Sequence, residues 1–207
     1  RSKKAFEIGM GPFELMNVTG VPIAMHAANT LGQELHAFYA PAPGLVHQVN
    51  EVKQDWVLSG TPDESKFDAI ASRLLGVTFY IAAKLVDEGV ASVEDTDIGA
   101  RVGLRWIKGP FQLLNETGIG KAQEMVRASM APHGLEVPPF LAQADEGGIP
   151  IRLVSVGKRG ALTSIWIDRP DAMNALNPAV GAQFDAAVEH GKANGAGIVI
   201  GGSGKAF

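Results

Sequence analysis

The sequence contains no cysteine among its 207 residues. This absence excludes disulfide bonds, thiolate catalysis and every cysteine-ligated metal site, and it favours a reducing compartment. We therefore expect a cytoplasmic protein. A large excess of one charge is also missing, because 22 acidic residues face 18 basic ones and the formal net charge is −4. So mild a balance, without a basic run, argues against nucleic acid as a partner.

Long hydrophobic runs are missing too. The apolar stretch over residues 77–86 is interrupted by Lys84, and it is much shorter than the ~20 residues that a membrane-spanning helix needs. No signal-peptide pattern opens the chain. We therefore expect neither a membrane span nor secretion. The chain does have 46% hydrophobic residues, which is enough for the core of one or two globular domains.

Composition divides the chain into two regions. Apolar residues follow a helical period up to about residue 140, whereas residues 151–207 alternate short β-rich runs with glycine clusters. The stretch between them, residues 142–150, is polar and contains glycine and proline, which is typical of a linker. The chain begins with Arg1, not methionine, and ends abruptly at Phe207. We therefore expect it to be a piece of a longer protein.

An internal repeat marks the first region. Residues 11–20 read GPFELMNVTG, and residues 109–118, 98 positions later, read GPFQLLNETG, so that seven of ten positions are identical. Proline suits the first position of a helix and glycine suits its end, so each copy predicts a short helix whose Phe and Leu anchor it to a core. Solenoid repeats have periods of about 20–50 residues. The longer period indicates two copies of a small helical subdomain, residues 1–62 and 63–141.

Three longer helices are predicted between the motifs. Residues 61–64 form a capping-box pattern, and the apolar spacing that follows predicts a helix of about 25 residues with Gly89 as its C-terminal cap. A second amphipathic helix is expected from apolar positions over residues 23–38, with its end at residues 41–44, and a third begins at Ser92. The first copy has only ten residues ahead of its motif, so we expect its leading long helix to be missing.

The second region predicts a small α/β unit. Residues 153–156 and 161–167 are β-rich runs, and residues 157–160 between them suit a hairpin turn. Pro178 opens an amphipathic helix, and residues 197–200 predict a buried strand. The order strand, strand, helix, strand implies a right-handed crossover before the last strand.

Several motifs do not fit their familiar chemistry. Residues 201–205 lack the spacing of a phosphate-binding loop, because Val199 and Ala206 occupy its required Gly and Ser/Thr positions. Residues 118–120 lack the preceding strand and third glycine of a dinucleotide fingerprint. Acidic residues 94–97 lie where a helix N-terminus favours negative charge, so we interpret them as structural. The five histidines do not have the spacing of metal ligands, so we expect no metal site. They are His26, His36, His47, His133 and His190.

The repeated motif resembles a known family. Both copies resemble the helical C-terminal domain of 3-hydroxyacyl-CoA dehydrogenases. The hallmark of that domain is Met-Gly-Pro-Phe-Glu-Leu followed by Asp and Gly. The resemblance lies at residues 7–17 and Gly20 in the first copy, and at residues 85–97 and 109–111 in the second. Here Asn17 and Asn115 replace that Asp. Two tandem copies, together covering about residues 5–141, resemble multifunctional fatty-acid oxidation proteins. The family's catalytic His and Glu and its NAD loop belong to a Rossmann domain that has no matching positions here.

The tail resembles a second family. Residues 162–177 and 198–207 are similar to the start of the crotonase fold of enoyl-CoA hydratases and isomerases. The glutamates of that family would lie beyond Phe207, and its first oxyanion-hole N–H would follow the Ala206–Phe207 pair. The resemblance implies that the CoA moiety is held by Ala172, Met173, Ala175, Leu176 and Lys205.

Together the two resemblances imply a mainly α fold: a duplicated dehydrogenase C-terminal domain, a linker over 142–150, and a truncated α/β crotonase-like segment over 151–207. The implied function is a fragment of a bifunctional 3-hydroxyacyl-CoA dehydrogenase and enoyl-CoA hydratase of fatty-acid β-oxidation. It would use NAD through a Rossmann domain absent here and act on CoA thioesters. We expect no catalytic residue in this chain, no activity from it alone, and a homodimer or an intramolecular pairing of helical repeats. The alternative is a non-catalytic acyl-CoA-binding or assembly module.

Overall fold

A computed structural model describes residues 3, 6, 8–61 and 63–205. Four residues of the motifs above lie outside the described residues: Glu7, Pro62, Ala206 and Phe207. The helices are α1 (Pro12–Thr19), α2 (Val21–Glu34), α3 (Pro43–His47), α4 (Phe67–Asp87), α5 (Val93–Gly103), α6 (Pro110–Thr117), α7 (Ile119–Met130), α8 (Pro139–Ala142) and α9 (Pro178–Asn194). The strands are β1 (Val154–Arg159), β2 (Leu162–Ile167) and β3 (Ile198–Gly202). The expected mainly α fold, with a small sheet towards the C-terminus, is confirmed.

Helix α4 is the centre of the helical region. It packs along α7 and also contacts α6 and α8. The predicted long helix is confirmed at 21 residues, preceded by a single 3₁₀ turn over Glu64–Lys66 that Asp63 caps through the Ser65 N–H at 3.1 Å. Gly89 adopts φ +66° just past its end, where the Gly89 N–H bonds the Val86 carbonyl. This left-handed glycine is the C-terminal cap that the sequence predicts.

The length of this helix corrects one expectation. Among the described residues, one stretch, residues 64–87, is long and apolar enough to cross a membrane, with a mean hydropathy of 1.5. The expectation that no stretch reaches this length was wrong, because Arg73 and Lys84 are too few to lower the mean. A central helix of a globular core has the same composition. Phe79 and Ala83 of α4 are completely buried in such a core.

The two Gly-Pro-Phe motifs form the predicted short helices, α1 and α6. Their closing glycines, Gly20 and Gly118, adopt φ +102° and +89°, a region that glycine enters without steric cost. The expected anchoring to a core holds for Phe111, which is fully buried, but was wrong for Phe13, which is 52% exposed. The physical reason is that Phe111 packs into the core around α4, whereas Phe13 packs on the Trp56 ring at 4.8 Å.

Helix α2 ends earlier than its apolar periodicity predicts. It stops at Glu34 and not at residues 41–44, and Ala37–Tyr39 form a separate 3₁₀ turn. His36 is extended there, and its Nδ1 accepts a hydrogen bond from the Phe38 N–H at 3.0 Å. This side-chain bond offers the backbone an alternative to the helix, so the helix ends before the proline-rich stretch at residues 41–44.

The second region forms a three-stranded sheet in the order β1-β2-β3. Strands β1 and β2 are antiparallel, with Arg159 opposite Leu162, so the turn is at residues 160–161 and the expected turn over 157–160 was wrong. Residues 157–159 pair as part of β1 instead. Strand β3 runs parallel to β2, as a strand after a crossover helix should. The expectation that it is buried was wrong, because within the described part of the chain β3 pairs with β2 alone, and Ile200 is 44% exposed.

Helix α9 packs on this sheet as predicted. Asn177 caps it by accepting a hydrogen bond from the Val180 N–H at 2.9 Å. Val180 is fully buried, and Phe184 and Val188 pack on the same cluster as Ile165. Residues 142–150 include Ile149, which is 5% exposed and belongs to the helical core. The domain boundaries proposed from the sequence stay predictions.

Candidate functional site

A loop cluster lies at the carboxyl ends of β2 and β3. The two strands are parallel, so the segments that leave them, residues 168–177 and 203–205, emerge at the same edge of the sheet. This edge is where open α/β sheets bind ligands. The first segment includes a 3₁₀ turn over Pro170–Ala172. We call residues 170–176 the edge loop.

Asn174 ties the two segments together. It is 4% exposed, its Oδ1 accepts a hydrogen bond from the Arg169 N–H at 2.9 Å, and its Nδ2 donates to the Ser203 carbonyl at 2.9 Å. The Ser203 hydroxyl in turn donates to the Asp168 carboxylate. Asn174 is not among the predicted site residues, because composition and spacing do not distinguish a buried amide that bridges two segments from a surface asparagine. The signal that could have found it is the Asn-Ala-Leu-Asn string at residues 174–177, inside the stretch that resembles the crotonase fold.

The backbone of the edge loop is strained. Met173 and Asn174 adopt φ +50° and +55°, two successive non-glycine residues in the left-handed region. Asparagine tolerates this region well, whereas methionine enters it at a cost of about 1–2 kcal/mol. Such strain persists only where the surroundings determine the conformation, and it clusters at ligand clamps and active sites. The loop is therefore a candidate for ligand binding.

The structure brings most of the residues predicted to hold CoA into this loop. Ala172 is half-buried, whereas Met173 and Leu176 are 75% and 73% exposed. Ala175 is exposed beside them, and Lys205 is exposed on the neighbouring segment. A Cβ added at Gly204 would lie 3.0 Å from the Pro170 Cβ, so the two segments are in contact. Their role in holding CoA stays a prediction.

The edge loop is also attached to the helical region. Arg101 of α5 donates from its Nε to Asp171 Oδ2 at 2.7 Å, and the two side chains are only 22% and 14% exposed. Burial acts to raise the pKa of Asp171, but the hydrogen bond and charge of Arg101 outweigh it, so the pKa lies below its ordinary value. A second link joins the regions where the Arg152 N–H donates to Glu94 Oε1 at 2.8 Å.

Asp97 connects Arg101 to the Gly-Pro-Phe helix. Its carboxylate is 1% exposed and accepts hydrogen bonds from the N–H groups of Phe111, at 2.7 Å, and Gln112, at 3.2 Å. Arg101 Nη1 lies 4.0 Å from it. Burial raises the pKa of Asp97 although both amide bonds and Arg101 act to lower it. Asp97 thus caps α6, and the expectation that it serves the N-terminus of its own helix was wrong; Ser92 and Asp95 do that.

An apolar groove of about 470 Å³ lies between α4 and α5. Its walls include Ile81 and Leu85 of α4, Gly99 of α5, and Leu104 and Trp106 beyond it. This volume lies within the range of small-molecule sites, which is ~300–1,000 Å³. With few polar groups in its walls, the groove suits an aliphatic chain and not a charged group. Groups of three or more His, Cys, Asp or Glu side chains able to hold a metal ion are absent from the described residues.

Comparison with known proteins identifies the helical unit. Residues 70–145 match the family model of the 3-hydroxyacyl-CoA dehydrogenase C-terminal domain. The match spans most of α4 and all of α5 to α8, and therefore the groove, Asp97 and the second Gly-Pro-Phe motif. It confirms the first resemblance for this part of the chain and relates the protein to 3-hydroxyacyl-CoA dehydrogenases. Searches of curated proteins and of solved structures gave no match.

Proposed function

We propose that the chain is part of a bifunctional enzyme of fatty-acid β-oxidation that joins a 3-hydroxyacyl-CoA dehydrogenase to an enoyl-CoA hydratase. The observation that carries this proposal is the family match at residues 70–145. The crotonase-like edge loop, attached to the same helical unit through Arg101, adds a second segment suited to a CoA thioester. The cytoplasm is the proposed location.

The proposed duplication is supported by a repeated side-chain contact. The Asn17 side chain bonds both the N–H and the carbonyl of Trp56, at 2.8 and 2.9 Å. Its counterpart in the second motif, Asn115, bonds both backbone groups of Ile149 at 2.7 and 2.8 Å. Each motif helix therefore closes on a later segment through the same two hydrogen bonds. This match supports two copies of one subdomain.

The first copy is proposed to be incomplete in this chain. Phe111 packs against the long helix of its own copy, whereas Phe13 is half exposed at the equivalent position. The pairing of the two copies is supported by ring contacts of Phe6 with Trp106 at 4.8 Å and of Phe38 with Tyr80 at 6.4 Å. A homodimer through the exposed apolar side chains of the first copy is the other proposed arrangement.

In the proposed mechanism this chain binds and positions the substrate. The groove between α4 and α5 would take the acyl chain of the dehydrogenase substrate by burying its methylene groups. The edge loop and Lys205 would hold the CoA moiety of the hydratase substrate. NAD would accept hydride in the whole enzyme. Gly118 joins helix α6 to α7 here, and residues 119–120 begin α7, so residues 118–120 do not follow a strand and do not fit a dinucleotide site. We therefore assign no NAD chemistry and no catalytic residue to this chain.

The purified chain tests this proposal when it is given 3-hydroxybutyryl-CoA and NAD and is titrated with coenzyme A in a calorimeter. We expect no NADH absorbance at 340 nm, together with saturable binding of coenzyme A. NADH formation would contradict the assignment of the catalytic parts to other sequence. A flat titration would remove the support for a CoA-binding role.

A second candidate is a non-catalytic acyl-CoA-binding or assembly module. The apolar groove favours this second candidate, because a protein that catalyses no reaction can still bind an acyl chain in such a groove. The flanking reading frame separates the two candidates. A Gly-x-Gly-x-x-Gly motif before Arg1 and a crotonase-like continuation after Phe207 support the bifunctional enzyme, and unrelated flanks support the module.

A further inference from the structure

We infer that Arg101 is a positioning residue for the edge loop: its bond to Asp171 holds the loop in the conformation that binds coenzyme A. This inference rests on the proposed function, because it assumes that the edge loop holds CoA. It goes further in assigning part of the hydratase-side binding site to a helix of the dehydrogenase-like region.

The first step is the geometry of the link. Arg101 lies near the end of α5, with Asp97 at 4.0 Å and Asp171 at 2.7 Å. Asp97 is fixed by its two hydrogen bonds to the start of α6. Arg101 is therefore held from one side by a buried carboxylate and reaches the edge loop with the other part of its guanidinium group. A planar guanidinium is well suited to bridge two carboxylates.

The second step is what the loop needs. Its strained residues, Met173 and Asn174, follow directly after the turn that contains Asp171. One side of the loop is fixed to the sheet by the Asn174 hydrogen bonds, and Arg169 Nη1 donates to the Ala175 carbonyl at 2.5 Å. On the opposite side, the Asp171 bond to α5 ties the loop to the helical region. Without the Arg101–Asp171 bond, fewer contacts hold Met173 and Asn174 in their left-handed conformation.

The third step is energetic. An exposed ion pair contributes little, about 0–1 kcal/mol, because water competes for both partners. Here the side chains of Arg101 and Asp171 are mostly shielded, so their bond restricts the loop more than a surface pair would. When the bond is absent, a ligand that needs the ordered loop must order it on binding. The free energy of ordering is then subtracted from the binding free energy, so the affinity falls.

The experiment uses the full chain and four variants. Arg101→Gln and Asp171→Ala remove the bond from either side, and Arg101→Lys keeps the charge without the planar group. Lys84→Gln is the matched control, because it breaks the 2.6 Å ion pair between Lys84 of α4 and Glu88, the residue after α4, outside the edge loop. For each, we measure the dissociation constant for coenzyme A by calorimetry and the amide hydrogen exchange of residues 170–176 without ligand.

We expect Arg101→Gln and Asp171→Ala to weaken coenzyme A binding ~3- to 10-fold and to speed exchange selectively in residues 170–176. Arg101→Lys should restore part of both losses, and Lys84→Gln should match the wild type. Asp171→Ala keeps the inference testable if Arg101→Gln disturbs folding through Asp97.

Three results decide the question. Normal coenzyme A affinity and normal exchange in both variants would overturn the inference and leave the proposed function intact. A wild-type chain that binds no coenzyme A would overturn the proposed function and the CoA part of the inference. Faster exchange confined to the edge loop, with weaker binding, supports both.

Discussion

At the residue scale, Gly76 sets how closely α4 and α7 approach. A Cβ added there would lie 2.4 Å from the Met125 carbonyl oxygen, which is backbone and cannot move aside cheaply. Gly76→Ala should therefore lower the free energy of unfolding by about 1–3 kcal/mol, as overpacking does.

Urea unfolding followed by circular dichroism measures this effect. The control is Gly181→Ala in α9, where an added Cβ meets no atom within 4 Å. That variant should gain about 0.5–1 kcal/mol, because alanine favours a helix more than glycine does. Equal effects at the two positions would contradict the close approach of α4 and α7.

Two carboxyl groups, the buried Asp97 and the Arg101-bonded Asp171, give opposite pH responses. Burial raises the pKa of Asp97, so its contribution to the free energy of unfolding is complete below the ordinary Asp pKa and is lost as pH rises through the raised pKa. Burial also acts on Asp171, but Arg101 outweighs it and lowers the pKa, so that contribution is present above the ordinary pKa and is lost as pH falls through the lowered one.

Carboxyl NMR titration measures both groups directly. Asp97 should titrate above, and Asp171 below, the ordinary Asp value of about 3.9. In Arg101→Gln the Asp171 pKa should rise, because the opposing charge is gone while the burial remains. An unchanged Asp171 titration would mean that the bond does not persist in solution.

At the element scale, the two Gly-Pro-Phe helices have almost the same sequence and different environments. Phe111 is fully buried against the core around α4, whereas Phe13 is 52% exposed and contacts Trp56. Phe111→Ala should cost about 3–5 kcal/mol of unfolding free energy, and Phe13→Ala should cost less than about 1 kcal/mol. Denaturant unfolding of the two variants measures both values, and similar losses would show that the first copy has its own closed core.

The same pair of helices shows how far sequence predicts an element. Both short helices follow from proline and glycine placed at their ends, and the α4 cap follows from Gly89, because these signals are local. The exposure of Phe13 cannot be predicted from the residues next to it, because it depends on whether a long helix packs over this side chain. The hairpin turn was misplaced for a related reason: strand pairing with β2 extends β1 through Arg159 and moves the turn to residues 160–161.

At the scale of the whole molecule, the contacts between regions are those that sequence could not predict. Asp97, Arg101 and Asp171 are charged residues of ordinary type, and only the fold brings them into one chain of contacts. Asn174 is likewise recognisable only when both strand ends are present. The resemblance to a known family located the helical unit, which the match at residues 70–145 confirms, but it did not reveal these links.

The groove between α4 and α5 offers a whole-molecule test with a matched pair of glycines. Gly99 lines the groove and Gly103, on the same helix, does not; an added Cβ at either meets no atom within 4 Å. Gly99→Phe should fill the groove without disturbing the helix. Because each buried methylene contributes about 0.8 kcal/mol, exclusion of even two of them weakens binding about tenfold.

Calorimetric titration of wild type, Gly99→Phe and Gly103→Phe with octanoyl-CoA is the most direct test that the helical unit binds the acyl chain of a CoA thioester. We predict saturable binding by the wild type and by Gly103→Phe, and a loss of at least about tenfold in Gly99→Phe with free coenzyme A binding unchanged. Equal octanoyl-CoA affinity in all three proteins, or no binding by any of them, would contradict a substrate-binding role for the groove.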